Sequence, residues 1–500
     1  TLATNDNLLL KERPMCAAPC PSGHSVGKYV DFLHENKSDI NDYIFSLFEK
    51  YDYVILCERA HSEMTQYDMI YSIVSDNRFV DSVGNVFTEI GCVDSREAYK
   101  AFLDREFKNE EEVDSSLASF MTVNQSVHLL WPNTNWFNFL KRLYYLNHGK
   151  STKVNGSFDR VVEQLKEADV EVSVCSKIME NPLKSVVMEA AAFAREKECD
   201  FIMALGGGAV LDSAIAVSAM ATNPGDLWDY VNGGTGKGKP LVNAGLPIVT
   251  IATSSGTGSE VNCWGVISDP ETNEKIGFGY PELVPVLAIV DPELMVTVPP
   301  KYTAYQGFDA LFHNTEVMIS NGVNIFSEAI ALSAIESIAK YLPRAVKDGN
   351  DLEAREQVAY GSTVAGIAMQ LTSTTAQHSM EHAMSAYHHN LPHGAGLIMI
   401  SKAFAEFFIE KHACDEQFIK MARVMGIPTA DKQEDFVTAL MQLQKDCGVD
   451  DLKMSDYGFT SDESMTLAVN ARETMGGLFL ANPCEMTDAE CSGIFDKSYR

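Results

Sequence analysis

The 500-residue sequence is short of positive charge: 39 Lys and Arg stand against 69 Asp and Glu, a net charge of -30. DNA, RNA and anionic membrane surfaces each need a basic footprint, so no nucleic acid and no membrane is expected as a partner. No apolar run approaches the ~18 residues of a membrane span. There is no internal repeat and no low-complexity tract. Residues 1–14 mix charges and lack the basic-then-apolar order of a signal peptide, so a cytoplasmic location is expected. The 11 cysteines are odd in number and scattered, as reduced thiols are. Cys16, Cys20 and His24 have knuckle-like spacing, but without a fourth ligand chance explains them better.

What is present is an ordinary globular composition, 46% hydrophobic and 22% charged, on a chain too long for one core. Three segments are expected: 1–147, 148–298 and 299–500. The first has strand-like runs at 53–57 and 83–90 with helical stretches between them, an additional α/β segment of open role. In the second, strands and helices alternate. Helices are expected at 158–168, 183–199 and 209–221, and strands at 170–174, 201–205 and 247–251. That order predicts α/β architecture, a parallel sheet covered by helices as in a Rossmann-like dinucleotide domain. After Pro299 and Pro300 the strand signal stops. Amphipathic stretches at 326–341 and 352–370 predict an all-helical domain.

Two loops of the second segment suit a phosphate. Gly206, Gly207 and Gly208 lie between a buried strand and a helix, where backbone can approach a ligand and helix N–H groups face an anion. The loop at 253–260 follows the next buried strand and carries Thr253, Ser254, Ser255, Gly256, Thr257, Gly258 and Ser259. Either loop alone is equally well a solvated turn. Following consecutive parallel strands, both leave one carboxyl edge of the sheet, where open α/β folds bind ligands.

The third segment holds a candidate metal set. Asp309 and His313 are four residues apart, on one helix face, and His378 and His382 repeat the spacing. His393 follows at a turn. Lone helical histidines are more often packed or surface residues, the reading given to His388 and His389. Three imidazoles with one carboxylate, however, suit Fe2+, Zn2+, Mn2+ or Co2+.

These residues resemble the iron-containing (group III) alcohol dehydrogenases from about residue 150 to the end. The resemblance is carried by 204–212, 253–260, the pair Asp291 and Pro292, then 307–316, 378–387, 392–394, 471–476 and 482–483. It implies a metal held by Asp309, His313, His378 and His393, and His382 beside the nicotinamide in proton traffic. Gly207, Gly208, Ala209 and Asp212 would serve the pyrophosphate side. Thr253, Ser254 and Thr257 would hold the nicotinamide half, and Lys275 the ribose. The implied reaction is hydride transfer between a primary alcohol or aldehyde and NAD or NADP, with Fe2+ (or Zn2+), in a homo-oligomer. Lys150 and Ser151 would tolerate a 2′-phosphate, which favours NADP.

The sequence departs from that family at Ala209, where a phosphate-binding serine is usual, and at Ile215, where a lysine is common. Upstream of Gly149 the resemblance fades. Glu58, His61 and Glu89 instead faintly resemble the opening of erythromycin-esterase-type hydrolases, although ordinary polar residues at strand ends explain them better. The rivals are a glycerol-dehydrogenase-like relative, a metal-binding but catalytically impaired scaffold, and a hydrolase centred on Glu58 and His61.

Overall fold

The computed structural model describes residues 156–500, together with 102–103, 105, 107, 112–117, 141 and 152. Cys16, Cys20, His24, Glu58, His61, Glu89, Lys150 and Ser151 lie outside the described residues. The chain divides after Gly156 into two units, and the elements below belong to the second, Ser157–Arg500.

Two amphipathic helices open it, α1 (Ser157–Glu167) and α2 (Lys184–Glu196). Strand β1 (Ile202–Gly206), helix α3 (Gly208–Thr222), strand β2 (Ile248–Ala252) and strand β5 (Leu287–Val290) form the parallel part, in sheet order β1-β2-β5. The expected strand at 170–174 is absent: these residues have no ladder partner, and Val174 is exposed. Alternating Val residues carry strand propensity, but propensity without a neighbouring edge to bond makes no strand. Between β2 and β5 lies a hairpin that periodicity missed, β3 (Trp264–Asp269) antiparallel to β4 (Glu274–Gly279). It packs on α3 so closely that a Cβ at Gly265 would lie 2.4 Å from the Asp212 carbonyl oxygen.

Helix α3 is predominantly apolar and is buried from Leu211 to Ala221, as a helix enclosed by a sheet and a hairpin must be. Ile215 is among its fully buried residues, so the position expected to offer a cofactor lysine is a core position here. The register sets Gly206 beside Ala252, and the Thr253 N–H donates to the Gly206 carbonyl at 3.0 Å. The two glycine- and hydroxyl-bearing loops therefore leave the sheet side by side.

From Pro300 onward the described chain is helical. Helix α4 (Pro300–Ile319) starts with proline at its first position, where the missing N–H costs nothing. Then come α5 (Ile325–Lys347), α6 (Leu352–Leu371), α7 (Ala376–Tyr387), α8 (His393–Glu410), α9 (Asp415–Val424), α10 (Glu434–Asp446), α11 (Ser464–Leu480) and α12 (Asp488–Ser498). One apolar core is built around α4, α7 and α8, with Phe308, Phe312, Phe404 and Phe408 inside it. A second surrounds α3 and the two sheets. Each fully buried Phe contributes roughly 1.5–3 kcal/mol relative to exposure, so such packing can carry polar groups at its heart. Among the described residues no helix is long and apolar enough to cross a membrane.

Candidate metal and cofactor site

Helix α4 is buried almost throughout, and three of its polar residues, Asp309, His313 and Glu316, fall at i, i+4 and i+7, one stripe along its length. Helix α7 faces it with His378, Glu381, His382 and Ser385, all buried. His393 is the first residue of α8, set by the Pro392 cap. The three elements converge on one carboxylate oxygen. Oδ1 of Asp309 lies 3.3 Å from His313 Nδ1, 3.4 Å from His378 Nε2 and 3.5 Å from His393 Nε2. Ligand atoms of Asp309, His378 and His393 all lie within 4.8 Å of one another. His313 completes the cluster, its ring stacked on His378 with centroids 4.1 Å apart. Its Nδ1 is buried without a hydrogen-bond partner.

Two buried glutamates, invisible to motif reasoning, stand behind this set. Glu316 bonds His378 at Nδ1, and also accepts from the Thr375 N–H and hydroxyl at 2.6 and 2.8 Å. Glu381 bonds His393 at Nδ1. The available signal was spacing, since Glu316 lies three residues after His313 and Glu381 three after His378. Metal-ligating histidines regularly pass their second nitrogen to such a carboxylate, which fixes ring and tautomer.

The donor set fits a divalent cation. Asp309, Glu316 and Glu381 are buried carboxylates, and Lys275 is a buried ammonium 3.3 Å from Glu381. A dication balances the remaining two negative charges with every imidazole neutral, and buried charges persist only when balanced. Nitrogen and oxygen donors in this number suit Fe2+ and Zn2+ alike.

The titration behaviour is that of one coupled cluster. Burial disfavours the His378 imidazolium, but the Glu316 and Asp309 carboxylates outweigh it and push the pKa up to about 10. Burial drives His313 down to about 3. Burial works against the Asp309 carboxylate too, yet His313 and His393 hold it well below the ordinary range. His382, desolvated and facing the Lys275 ammonium, is held well below its usual value and is neutral at pH 7. Its Nδ1 lies 2.8 Å from the Met475 sulfur, at a kink in α11 where Met475 leaves helical geometry.

The two glycine- and hydroxyl-bearing loops approach this centre. No side chain caps α3 at Gly207, so its first N–H groups, Gly208 and Ala209 among them, are open to an anion. A Cβ at Gly207 would lie 2.9 Å from Ser254 Oγ, and one at Gly208 only 2.3 Å from Thr257 Cγ2. The backbone of Gly256 lies beside the cluster: a Cβ there would lie 3.0 Å from Asp309 Oδ2. Gly258 adopts φ +65° against α6, where a Cβ would meet the Gly366 nitrogen at 2.5 Å. One loop thus joins the sheet edge to the metal cluster, with Thr253 buried and Ser254 and Thr257 half-buried along it. Asp212 is turned inward, accepting from the Val266 N–H at 2.9 Å. Lys275, for which the resemblance implies a ribose contact, lies 2.8 Å from Ser385 Oγ and 3.5 Å from His393 Nδ1.

A dinucleotide-type sheet edge joined by one loop to a buried carboxylate–imidazole centre defines a metal-dependent, nicotinamide-linked oxidoreductase. The chain belongs to the iron-containing alcohol dehydrogenase family: the family's description "Iron-containing alcohol dehydrogenase" matches residues 136–292 and its C-terminal counterpart residues 303–499. The match begins upstream of residue 150, where the motif resemblance fades. Choline dehydrogenase of Bacillus subtilis (strain 168) is 37% identical over 277 residues, 55% of this chain and 67% of its own length. The 1,3-propanediol dehydrogenase of Klebsiella pneumoniae is 31% identical over 364 residues, 72% of this chain and 91% of its own. Among solved structures, an archaeal halo-thermophilic Red Sea brine pool alcohol dehydrogenase bound to NZQ gives a TM-score of 0.67 at 31% identity, covering 69% of this chain and 89% of that one. Members of this family interconvert alcohols and aldehydes with iron and a nicotinamide cofactor, and that is the chemistry of this chain.

Proposed function

We propose that one divalent ion held by Asp309, His313, His378 and His393 serves the oxidation of small primary alcohols, and the reverse reduction of aldehydes. The observation that carries it is the convergence of three imidazole nitrogens on Asp309 Oδ1. A bound Fe2+ or Zn2+ would polarise the alcohol or carbonyl oxygen as a Lewis acid. The protein's own groups do the rest. Glu316 and Glu381 hold two imidazoles with Nε2 towards Asp309. The uncapped start of α3 and the hydroxyls of Thr253, Ser254 and Thr257 orient the cofactor.

His382 donates Nδ1–H to the Met475 sulfur, which leaves the Nε2 lone pair to accept a hydrogen bond in the proton traffic of the reaction. His393, with 24% of its side chain exposed, marks where the cluster opens. Lys150 and Ser151, with no acidic residue beside them, favour NADP over NAD. A cytoplasmic homo-oligomer is part of the same reading. The two apolar cores support a cofactor domain over 148–298 and a metal domain over 299–500.

Oxidation of NADPH and of NADH should be followed with a short aldehyde, on metal-loaded protein and on its His378→Ala variant. Turnover confined to the unaltered protein, with a higher kcat/KM for NADPH, is expected. Turnover that survives in His378→Ala would remove the metal-centred reaction, and a higher kcat/KM for NADH would reverse the cofactor preference.

A further inference from the structure

His393 begins a helix, is partly exposed, and has less packing around its ring than the other histidines of the cluster. Its direction is set from behind. Glu381 is completely buried, and one of its oxygens, Oε2, both bonds His393 Nδ1 and lies 3.3 Å from Lys275 Nζ. We propose that Glu381 is the positioning residue for His393, and that Lys275 holds Glu381 in that role. The inference rests on the metal centre proposed above.

Three independent features support it. An ionised carboxylate only accepts hydrogen bonds, so His393 must donate from Nδ1 and turn its Nε2 lone pair towards Asp309, 3.5 Å away. Helix α8 makes room for the arrangement: a Cβ at Gly396 would lie 2.7 Å from Glu381 Cγ and 3.1 Å from Oε1. Lys275 reaches in from β4 with its ammonium on Glu381 and on Ser385 Oγ, one turn further along α7. The lysine thereby ties the hairpin of the cofactor core to a ligand of the metal core.

The test compares Glu381→Gln, Lys275→Met and the double variant with the unaltered full-length chain. Zn2+ affinity is read by chelator competition, the Co2+ form by its d–d absorption, and NADPH binding by fluorescence. Glu381→Gln and the double variant should each lose ten- to a hundredfold in Zn2+ affinity with a changed Co2+ spectrum, the range for outer-sphere partners of metal-bound histidine. The double variant, freed of the unpaired buried charge, should keep the far-UV circular dichroism of the unaltered chain. Lys275→Met should leave NADPH binding intact.

Unchanged affinity and spectrum in both Glu381 variants would overturn the proposal. So would affinity lost in Glu381→Gln and regained in the double variant, because the unpaired lysine alone would then be responsible. Weakened NADPH binding in Lys275→Met, with metal affinity intact, would return that lysine to the ribose. If the unaltered chain binds neither metal, and Asp309→Ala changes nothing, the metal centre itself is wrong.

Discussion

His378 turns its Nε2 to Asp309 Oδ1, 3.4 Å away, because Glu316 holds the opposite nitrogen of the ring. Both partners of the imidazole come from one face of α4, seven residues apart. Glu316→Gln keeps the volume and removes the charge, so the ring loses its enforced tautomer. Zn2+ affinity should fall ten- to a hundredfold by chelator competition. In the metal-free protein, where His378 is an imidazolium, Glu316→Ala should also lower the melting temperature, since breaking a buried charged pair costs about 3–5 kcal/mol. Full metal affinity in Glu316→Gln would show that the pair is structural only.

Gly208 and Thr257 hold the two cofactor loops together. With a Cβ at Gly208 only 2.3 Å from Thr257 Cγ2, Gly208→Ala must displace the Thr257 side chain. Cofactor affinity is expected to weaken by about tenfold, roughly 1.4 kcal/mol. Thr257→Ser deletes the offending methyl group, so the double variant should recover most of the loss. A double variant as weak as Gly208→Ala would mean that the glycine is needed for something other than space.

Asp212 offers a pH test. Its burial pushes the carboxyl pKa up to about 6 despite bonds from Ser259 and Val266. Between roughly pH 4 and that value the folded chain retains a proton that the unfolded chain has released. Stability contributed by this group is therefore present at low pH and lost as pH rises through the window. Relative to Asp212→Asn, the unaltered protein should lose on the order of 3 kcal/mol across it. Urea unfolding of the two proteins at both ends of the window measures this. A stability difference that does not change with pH would place the carboxyl at an ordinary pKa.

His382 is assigned a role in proton transfer and none in metal binding. His382→Ala should therefore lower kcat by a hundredfold or more, the usual scale of general acid–base catalysis, while Zn2+ affinity stays near that of the unaltered chain. Parallel loss of metal and turnover would instead make His382 a ligand.

Much of this was legible in the residues. Asp309 with His313, and His378 with His382, announce themselves because helical spacing puts i and i+4 on one face whatever the fold around them. Gly207 and Gly208 are legible for a similar local reason, since they follow a short apolar run. Glu316 and Glu381 were not, because each acts on a histidine of another helix, and no local pattern fixes which helices meet. The contacts of Lys275 were hidden on the same ground: Glu381 and Ser385 lie more than 100 positions away on α7. The hairpin at 264–279 escaped because its strands are buried unevenly and do not alternate cleanly. The valines at 170–174 misled in the opposite sense, since a ladder needs a partner as well as propensity.

The most direct measurement is a titration of metal-free protein with Fe2+ or Zn2+, following aldehyde-dependent NAD(P)H oxidation at each addition. A single centre at Asp309, His313, His378 and His393 predicts activity that rises linearly and stops at one ion per chain, and none at any addition in His378→Ala. Turnover before any metal is added, or an unaltered titration curve in His378→Ala, would contradict it.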